Sequence, residues 1–218
     1  MRTIAITRAL GAAIFFSFAC LPQSTMFKVK AQNAQGLPAR MIIAEHPNPI
    51  EPLRVVNFKF GEETVVPGTA FSAGDDWLAN MSVTVKNATD KSIMGIGVQV
   101  TFLDMGDGTY QHPLSSDTIQ VGTRPGKDVE AASAAPLQLG PGQEETIPFA
   151  SEYNVMKTQV DGRQMTMSAI RTCRVLFNVY FSDGTSWLLS NYFTLEPNNP
   201  GHWHQISYEQ FTRNSSLK

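Results

Sequence analysis

Residues 77–104 read WLANMSVTVKNATDKSIMGIGVQVTFLD, and two runs of alternating apolar and polar residues within this stretch decide the fold class. Side chains on a β-strand point to opposite faces with a period of two, so each run has one apolar and one polar face. The polar break at 87–92 predicts that the two runs are adjacent antiparallel strands covering a core. The apolar positions of the two runs are Met81, Val83, Val85, Ile96, Val98, Val100 and Phe102.

Further strands are predicted on both sides of this stretch. Turn-rich segments with Gly, Pro, Asn and Asp separate them, and Pro148 favours an edge position for the strand that contains it. About seven strands without a strong amphipathic helix predict an all-β fold, an antiparallel immunoglobulin-like β-sandwich. The additional strands are expected at 54–60, within 115–122, at 144–150, at 173–181 and at 186–195.

The last two of these strands form a predicted hairpin. The Asp183-Gly184 pair between them is a strong turn signal, because glycine tolerates the positive φ that tight hairpin turns need. Residues 155–160 are compatible with a short helix or a strand. The apolar side of the first hairpin strand is expected to form the half of the core that faces the opening stretch, and it consists of Val175, Phe177, Val179 and Phe181.

The first 31 residues have the composition of a secretory signal peptide. Arg2 and Arg8 are the basic start, and residues 9–21 are an apolar run that falls short of the roughly 20 residues needed to span a bilayer. Cleavage is predicted after Ala31, and the alternative is a lipoprotein-type anchor at Cys20. Removing residues 1–31 removes four basic residues and changes the formal charge from −2 to −6. A chain of this charge without a basic stripe disfavours nucleic-acid binding.

The mature chain divides into three parts. Residues 32–53 are a Pro-rich N-terminal arm, within which residues 41–43 have the composition to pair at a sheet edge. Residues 54–195 form the sandwich, and residues 196–218 form a polar and aromatic C-terminal tail. Processing leaves Cys173 as the remaining cysteine, which excludes an intramolecular disulfide, and its place in an apolar strand predicts a small buried side chain.

Three short motifs give the chain a resemblance to a known group of domains. Their order is similar to that in bacterial exported immunoglobulin-like (fibronectin-III-like) β-sandwich domains, and the resemblance covers residues 54–195. It implies the fold and export of the chain, and it implies no catalytic residue and no cofactor. The motifs are N-x-T-x-K at Asn87, Thr89 and Lys91, L-x-P-G-Q at Leu139, Pro141, Gly142 and Gln143, and F-x-D-G-T-x-W at Phe181, Asp183, Gly184, Thr185 and Trp187.

Two pairs of residues are candidate metal ligands. His202 and His204 are spaced to share one face of an extended chain, and Met165 and Met167 have the same spacing. Imidazole and thioether groups are ligands for copper, so the four residues define an alternative reading as a periplasmic copper-binding protein. An aromatic-anchored tail and ordinary core methionines explain the same residues without a metal. Asp104, Asp107 and Asp117 lack the spacing of a calcium loop, and Asp107-Gly108 is explained by a turn.

The sequence therefore predicts an exported, non-enzymatic binding or assembly module whose partner is a protein or a component of the cell envelope. The nucleophile and metalloprotease motifs G-x-S-x-G and H-E-x-x-H do not occur in the chain. A hydrolase assembled from distant residues is the remaining alternative. Binding in such folds commonly uses loops or an added strand at a sheet edge, and residues 104–142 and the C-terminal tail are the expected surfaces.

Overall fold

Alternating apolar residues form twelve strands in the computed structural model, which describes residues 36–44, 50–103, 118–125, 137–196, 198–199 and 201–213. These residues belong to one compact unit, and the predicted leader, residues 1–31, lies outside the described residues. The helices are α1 (Tyr153–Asp161) and α2 (Tyr208–Arg213). The strands are β1 (Ala39–Ala44), β2 (Leu53–Phe60), β3 (Glu63–Val65), β4 (Phe71–Ser72), β5 (Met81–Asn87), β6 (Ile93–Phe102), β7 (Thr118–Gly122), β8 (Glu144–Pro148), β9 (Thr172–Phe181), β10 (Thr185–Leu188), β11 (Asn191–Leu195) and β12 (Trp203–Ile206).

The larger of the two sheets has eight strands, with β9 at its centre. β6 pairs antiparallel with one edge of β9 along most of its length, and β7 pairs with β6. The other edge of β9 is shared, because β1 pairs with residues 172–175 and β10 pairs with residues 178–180. β4 extends the sheet from β1, and β11 and β12 extend it from β10. Leu176 and Phe177 therefore lie between β1 and β10 on that edge, where no described strand pairs with them.

The smaller sheet has four strands in the order β3-β2-β5-β8. β3 is short and pairs only with residues 58–60 of β2, so the first half of β2 has no described strand on its outer edge. β8 lies at the opposite border of this sheet. The edge position predicted from Pro148 is thus confirmed, since the missing N–H of proline would interrupt a central strand.

Both sheets contribute to one buried core. The seven apolar positions of the opening stretch are each at most 1% exposed, and Cys173 is completely buried. Trp77 and Leu78 of a short 3-10 helix are also buried and fill the space ahead of β5. Each large apolar side chain removed from water contributes about 1.5–3 kcal/mol, so this cluster is the main source of stability.

The prediction that β5 and β6 form one hairpin is wrong. β5 pairs with β2 and β8, whereas β6 pairs with β7 and β9, so the chain changes sheet at residues 88–92. Alternation shows which side chains face the core, but it does not show which of two sheets holds the strand, because both sheets face the same core. For the same reason Val175 and Val179 of β9 lie in the sheet of β6, although they were expected to oppose it.

The strand count and one pairing also differ from the expected seven-stranded antiparallel arrangement. Short strands such as β3, β4 and β12 raise the number to twelve among the described residues. β1 pairs parallel with β9, in the register Met41↔Thr172 to Ala44↔Val175. A parallel pair requires a long connection, which the sequence distance between these two strands supplies.

Residues 186–195, predicted as one strand, form two. β10 and β11 pair antiparallel around a tight turn at Leu189 and Ser190, whose φ angles are 47° and 66°. Two successive residues with positive φ match the twist of a hairpin. The sequence does not signal this turn, because leucine and serine are not the residues that usually occupy it.

The hairpin of β9 and β10 is confirmed, and Gly184 occupies its turn with a φ of +81°. We expect Gly184→Ala to lower the free energy of unfolding by about 1–2 kcal/mol, because an L side chain is strained at this φ. Denaturant unfolding measures the effect. Gly74→Ala is the matched control, since its φ is not in the left-handed region and an added Cβ meets no atom within 4 Å. An equal loss in both variants would contradict this explanation.

The segments that flank the predicted sandwich also contribute elements to the fold. The Pro-rich arm contains β1, so residues 41–43 pair in a sheet as expected, but β1 lies between β9 and β4 and not at the border of the sheet. The C-terminal tail contains β12 and α2, and Phe211 of α2 is buried. The ambiguous segment near residue 155 is helical, and α1 buries Met156 and Val160, which lie four residues apart on one helix face.

Candidate functional site

The first two resemblance motifs meet at the point where the chain changes sheet. The Asn87 Nδ2 atom donates hydrogen bonds to the carbonyl oxygens of Lys91, at 2.8 Å, and Leu139, at 2.9 Å. The Asn87 Oδ1 atom accepts a hydrogen bond from the Thr89 N–H at 3.0 Å. One buried amide thus closes the turn after β5 and holds a segment that lies about fifty residues further along the chain.

The second motif forms a turn that is fixed on Asn87 through its backbone. The Gly142 N–H donates to the Asn87 carbonyl, and the Asn87 N–H donates to the Gln143 carbonyl, both at 3.0 Å. The Gln143 Oε1 atom accepts a hydrogen bond from the Gly140 N–H at 2.6 Å. The backbone bonds to Asn87 and the side chain of Gln143 thus fix this turn against the end of β5.

The third motif contacts the first motif through a buried ion pair. The Lys91 Nζ atom lies 2.7 Å from Asp183 Oδ2, and the Lys91 and Asp183 side chains are only 5% and 14% exposed. The Asp183 Oδ1 atom accepts hydrogen bonds from the Thr185 N–H and Oγ1. Burial raises the pKa of the Asp183 carboxyl, but the hydrogen bonds from Lys91 and Thr185 outweigh it, and the pKa lies below its usual value.

The C-terminal helix covers this ion pair. The Lys91 Nζ atom lies 3.8 Å from the centre of the Phe211 ring, a cation–π distance. Phe211 also stacks on Tyr192, with ring centres 4.3 Å apart. The Tyr192 hydroxyl donates a hydrogen bond to the Ile50 carbonyl, and burial raises the pKa of this hydroxyl. The three motifs and the tail thus meet in one structural corner, which is held together by the Asn87 hydrogen bonds, the pair of Lys91 and Asp183, and Phe211.

An apolar groove lies elsewhere, between the borders of the two sheets, and has a volume of about 880 Å³. Its apolar lining comes from both sheets. The larger sheet contributes Met41, Ile43, Ala44, Val175, Phe177 and Trp187. The smaller sheet and the chain that follows β3 contribute Leu53, Val55, Val56, Phe58, Val65 and Val66.

The groove is open because the strands on either side of it are incomplete. On one side β1 and β10 leave residues 176–177 of β9 without a described partner strand. On the other side β3 ends before it reaches the first half of β2. A register shift near Val56 bends β2 at this point, as β-bulges do. Val55 is consequently 36% exposed, although it lies directly opposite the buried Val85 of β5.

Several large apolar side chains remain exposed at this groove. Val56 is 45% exposed, Val66 is 51% exposed and Leu189 is 64% exposed. Exposed apolar residues that cluster in a concave surface mark binding sites, whereas single ones do not. No pattern of motifs in the sequence predicts this groove. The consecutive Val55 and Val56, which interrupt the alternation of β2, are the signal that was present in the sequence.

The lining of the groove also includes polar side chains. Glu51 and Arg54 are among its lining residues. Arg54 also lines a second, smaller hollow of about 230 Å³, which it shares with Lys86, Thr89 and Gly142. Arg54 therefore borders both the apolar groove and this polar hollow.

The candidate copper ligands lie on different parts of the fold. His202 and His204 are exposed, and His204 pairs with Thr194 in the outermost strand beyond β11. Met167 is buried in a short 3-10 helix ahead of β9, and Met165 packs on the core. Within the described ranges, no group of three or more His, Cys, Asp or Glu residues has an arrangement that could hold a metal ion. Asp104, Asp107 and Asp117 lie outside the described residues.

Comparison of the chain with protein-family models, curated proteins and solved structures gives no match. Of the helices in the described ranges, none has the length and apolar character required to cross a membrane.

Proposed function

We propose that this chain is an exported immunoglobulin-like β-sandwich that acts as a non-enzymatic binding module. Two sheets that share one core support the sandwich assignment. The change of sheet between β5 and β6 further supports it, since immunoglobulin-like domains connect their sheets in this way. The basic and apolar leader at residues 1–31 supports export.

The binding surface in this proposal is the apolar groove, and the observation that carries it is an apolar cavity of about 880 Å³ with exposed valine and leucine side chains in its wall. Ligand sites in proteins are typically apolar cavities of about 300–1,000 Å³ with a few polar groups. Exposing these side chains to water is unfavourable, and a ligand with apolar surface would remove them from water. The expected surfaces at residues 104–142 and in the tail remain proposals, and most of the former lies outside the described residues.

A neutral fluorescent apolar probe such as Nile red tests the groove directly. We expect the purified protein to bind the probe and Val56→Asp to weaken binding about tenfold or more, because a carboxylate in the groove must be desolvated. Fluorescence titration measures the dissociation constant.

Val155→Asp is the matched control for this experiment. Val155 is 43% exposed on α1 and does not line the groove, so its replacement should leave probe binding unchanged. Equal probe binding by Val56→Asp and the unmodified protein, with both folded by circular dichroism, would refute the groove as the binding surface.

A further inference from the structure

Arg54 connects two surfaces of different character. It lines the apolar groove together with Leu53 and Val55, its neighbours on β2. It also lines the smaller hollow together with Lys86 and Thr89. A molecule that occupied both surfaces would place an apolar part in the groove and a polar part beside Arg54.

The charges around Arg54 favour an anion in the hollow. Lys86 lies directly opposite Arg54 in the antiparallel pair of β2 and β5, so two cationic side chains adjoin each other. Glu144 lies 3.8 Å from the Lys86 Nζ atom, and both side chains are about half exposed, which makes their attraction weak. The ion pairs among the described residues do not include Arg54. Two adjacent cations repel each other, and an anion between them would remove that repulsion.

Glu51 is the group that opposes this arrangement. Its carboxylate belongs to the lining of the groove, whereas the smaller hollow is lined by Arg54 and Lys86 and by no carboxylate among the described residues. The anionic part of a ligand therefore fits the hollow better than the groove. Neutralising Glu51 should therefore strengthen the binding of an anion, whereas neutralising Arg54 or Lys86 should weaken it.

We propose that the ligand is an anionic amphiphile with one long chain, namely a free long-chain carboxylate. The head group lies at Arg54 and Lys86, and the chain lies in the groove. The inference rests on the proposed function of the groove and adds the chemical class of its ligand. Arginine recognises a carboxylate through two parallel N–H donors, and the apolar lining accepts the methylene groups.

Two physical consequences distinguish this ligand from others. Each additional methylene that the groove buries should tighten binding about fourfold, which corresponds to the transfer free energy of that group. The charge-dependent part of the affinity should fall with rising salt concentration, because Arg54 and Lys86 are accessible to counterions.

Calorimetric titration of the purified full chain at pH 8, below the micelle concentrations, tests the proposal. The probes are dodecanoate, dodecanol and dodecyltrimethylammonium, which share a chain length and differ in charge. We expect dodecanoate to bind at least tenfold more tightly than the other two. Arg54→Gln and Lys86→Gln should each remove most of this preference, and Glu51→Gln should increase it. Lys59→Gln is the matched control, because Lys59 lies on the same strand and lines neither cavity.

The outcomes separate this inference from the proposed function. Equal binding of the three amphiphiles, or a preference that survives Arg54→Gln, would overturn the anionic ligand while Nile red binding still supported the groove. Tighter binding of dodecyltrimethylammonium would also overturn it and would assign the polar contact to Glu51. Absence of binding by both Nile red and the amphiphiles would overturn the proposed function as well.

Discussion

Replacing Arg40 by methionine should lower the free energy of unfolding by about 3–5 kcal/mol, because it removes a buried cation to which several backbone carbonyls are bound. The Arg40 side chain is fully buried at the start of β1. Its guanidinium donates hydrogen bonds to the carbonyl oxygens of Ala73, Ser168 and Ile170, which lie in segments far apart in sequence. Methionine preserves much of the apolar stem, so the loss reports on these hydrogen bonds rather than on packing.

The carbonyl partners explain how a charge is tolerated at this depth. The Asp75 carboxylate lies 3.3 Å from Arg40 Nη2, but its side chain is 64% exposed, and exposed carboxylates contribute little to an ion pair. Asp75→Asn is therefore the matched control, with an expected loss below about 1 kcal/mol. Native-state hydrogen exchange adds a local measurement, since Arg40→Met should raise exchange most in β1 and near Ala73. Equal destabilisation by both variants would mean that the ion pair, and not the carbonyls, holds Arg40.

Lys91→Met should be similarly destabilising, by about 3–5 kcal/mol, because it leaves the Asp183 carboxylate nearly buried without its cation. It also removes the contact between the Lys91 Nζ atom and the Phe211 ring. Chemical denaturation measures the loss. Lys86→Met is the matched control, since the pair of Lys86 and Glu144 is half exposed and its loss should cost at most about 1 kcal/mol.

A double variant separates the buried charge from the packing of Lys91. Asp183→Asn retains an acceptor for the two hydrogen bonds from Thr185 and removes the negative charge. Lys91→Met combined with Asp183→Asn should therefore recover stability relative to Lys91→Met, a coupling that a double-mutant cycle measures. No recovery would show that packing against Phe211, rather than the unpaired carboxylate, accounts for the loss.

The same pair gives stability a defined pH dependence. The pKa of Asp183 is lower in the folded protein than its usual value, so the unfolded chain takes up the proton first on acidification. The stabilising contribution is fully present above the unfolded pKa of about 3.9 and is lost as the pH falls through the folded pKa. The stability difference between the unmodified protein and Lys91→Met should therefore be larger at pH 7 than at pH 3. A difference independent of pH would exclude this carboxylate as its source.

Much of the local structure could be predicted from the sequence. Strands at β2, β5, β6, β8 and β9 follow from alternation, and the edge position of β8 follows from Pro148, because these patterns depend on local backbone geometry. The turn at Leu189 and Ser190 could not be predicted, because the pairing of β10 and β11 holds both residues at a φ that neither residue type favours.

The candidate sites show a different balance. Cys173 is buried as its strand predicted. The candidate copper ligands lie on different elements of the fold. One pair, His202 and His204, is at β12, and the other pair, Met165 and Met167, is near the short 3-10 helix ahead of β9. The groove is formed by ordinary apolar residues. Its position depends on where β3 ends along β2 and on the gap between β1 and β10 along β9. The amino-acid composition does not indicate where a strand ends against its neighbour, because a valine that lines an open groove is equally suited to a closed core.

The sequence by itself determined that each strand has one apolar and one polar face. It therefore determined that the chain forms β-sheets whose apolar faces share a common core. It also determined the short motifs that satisfy local turns at Asn87, Gly142 and Asp183. The tertiary structure alone decided which sheet each strand joins, that these three motifs meet under Phe211, and that the sheet borders leave a groove open. The physical reason is that alternation and turn chemistry act over a few residues, whereas strand pairing and the burial of Lys91 and Arg40 depend on segments that are distant in sequence.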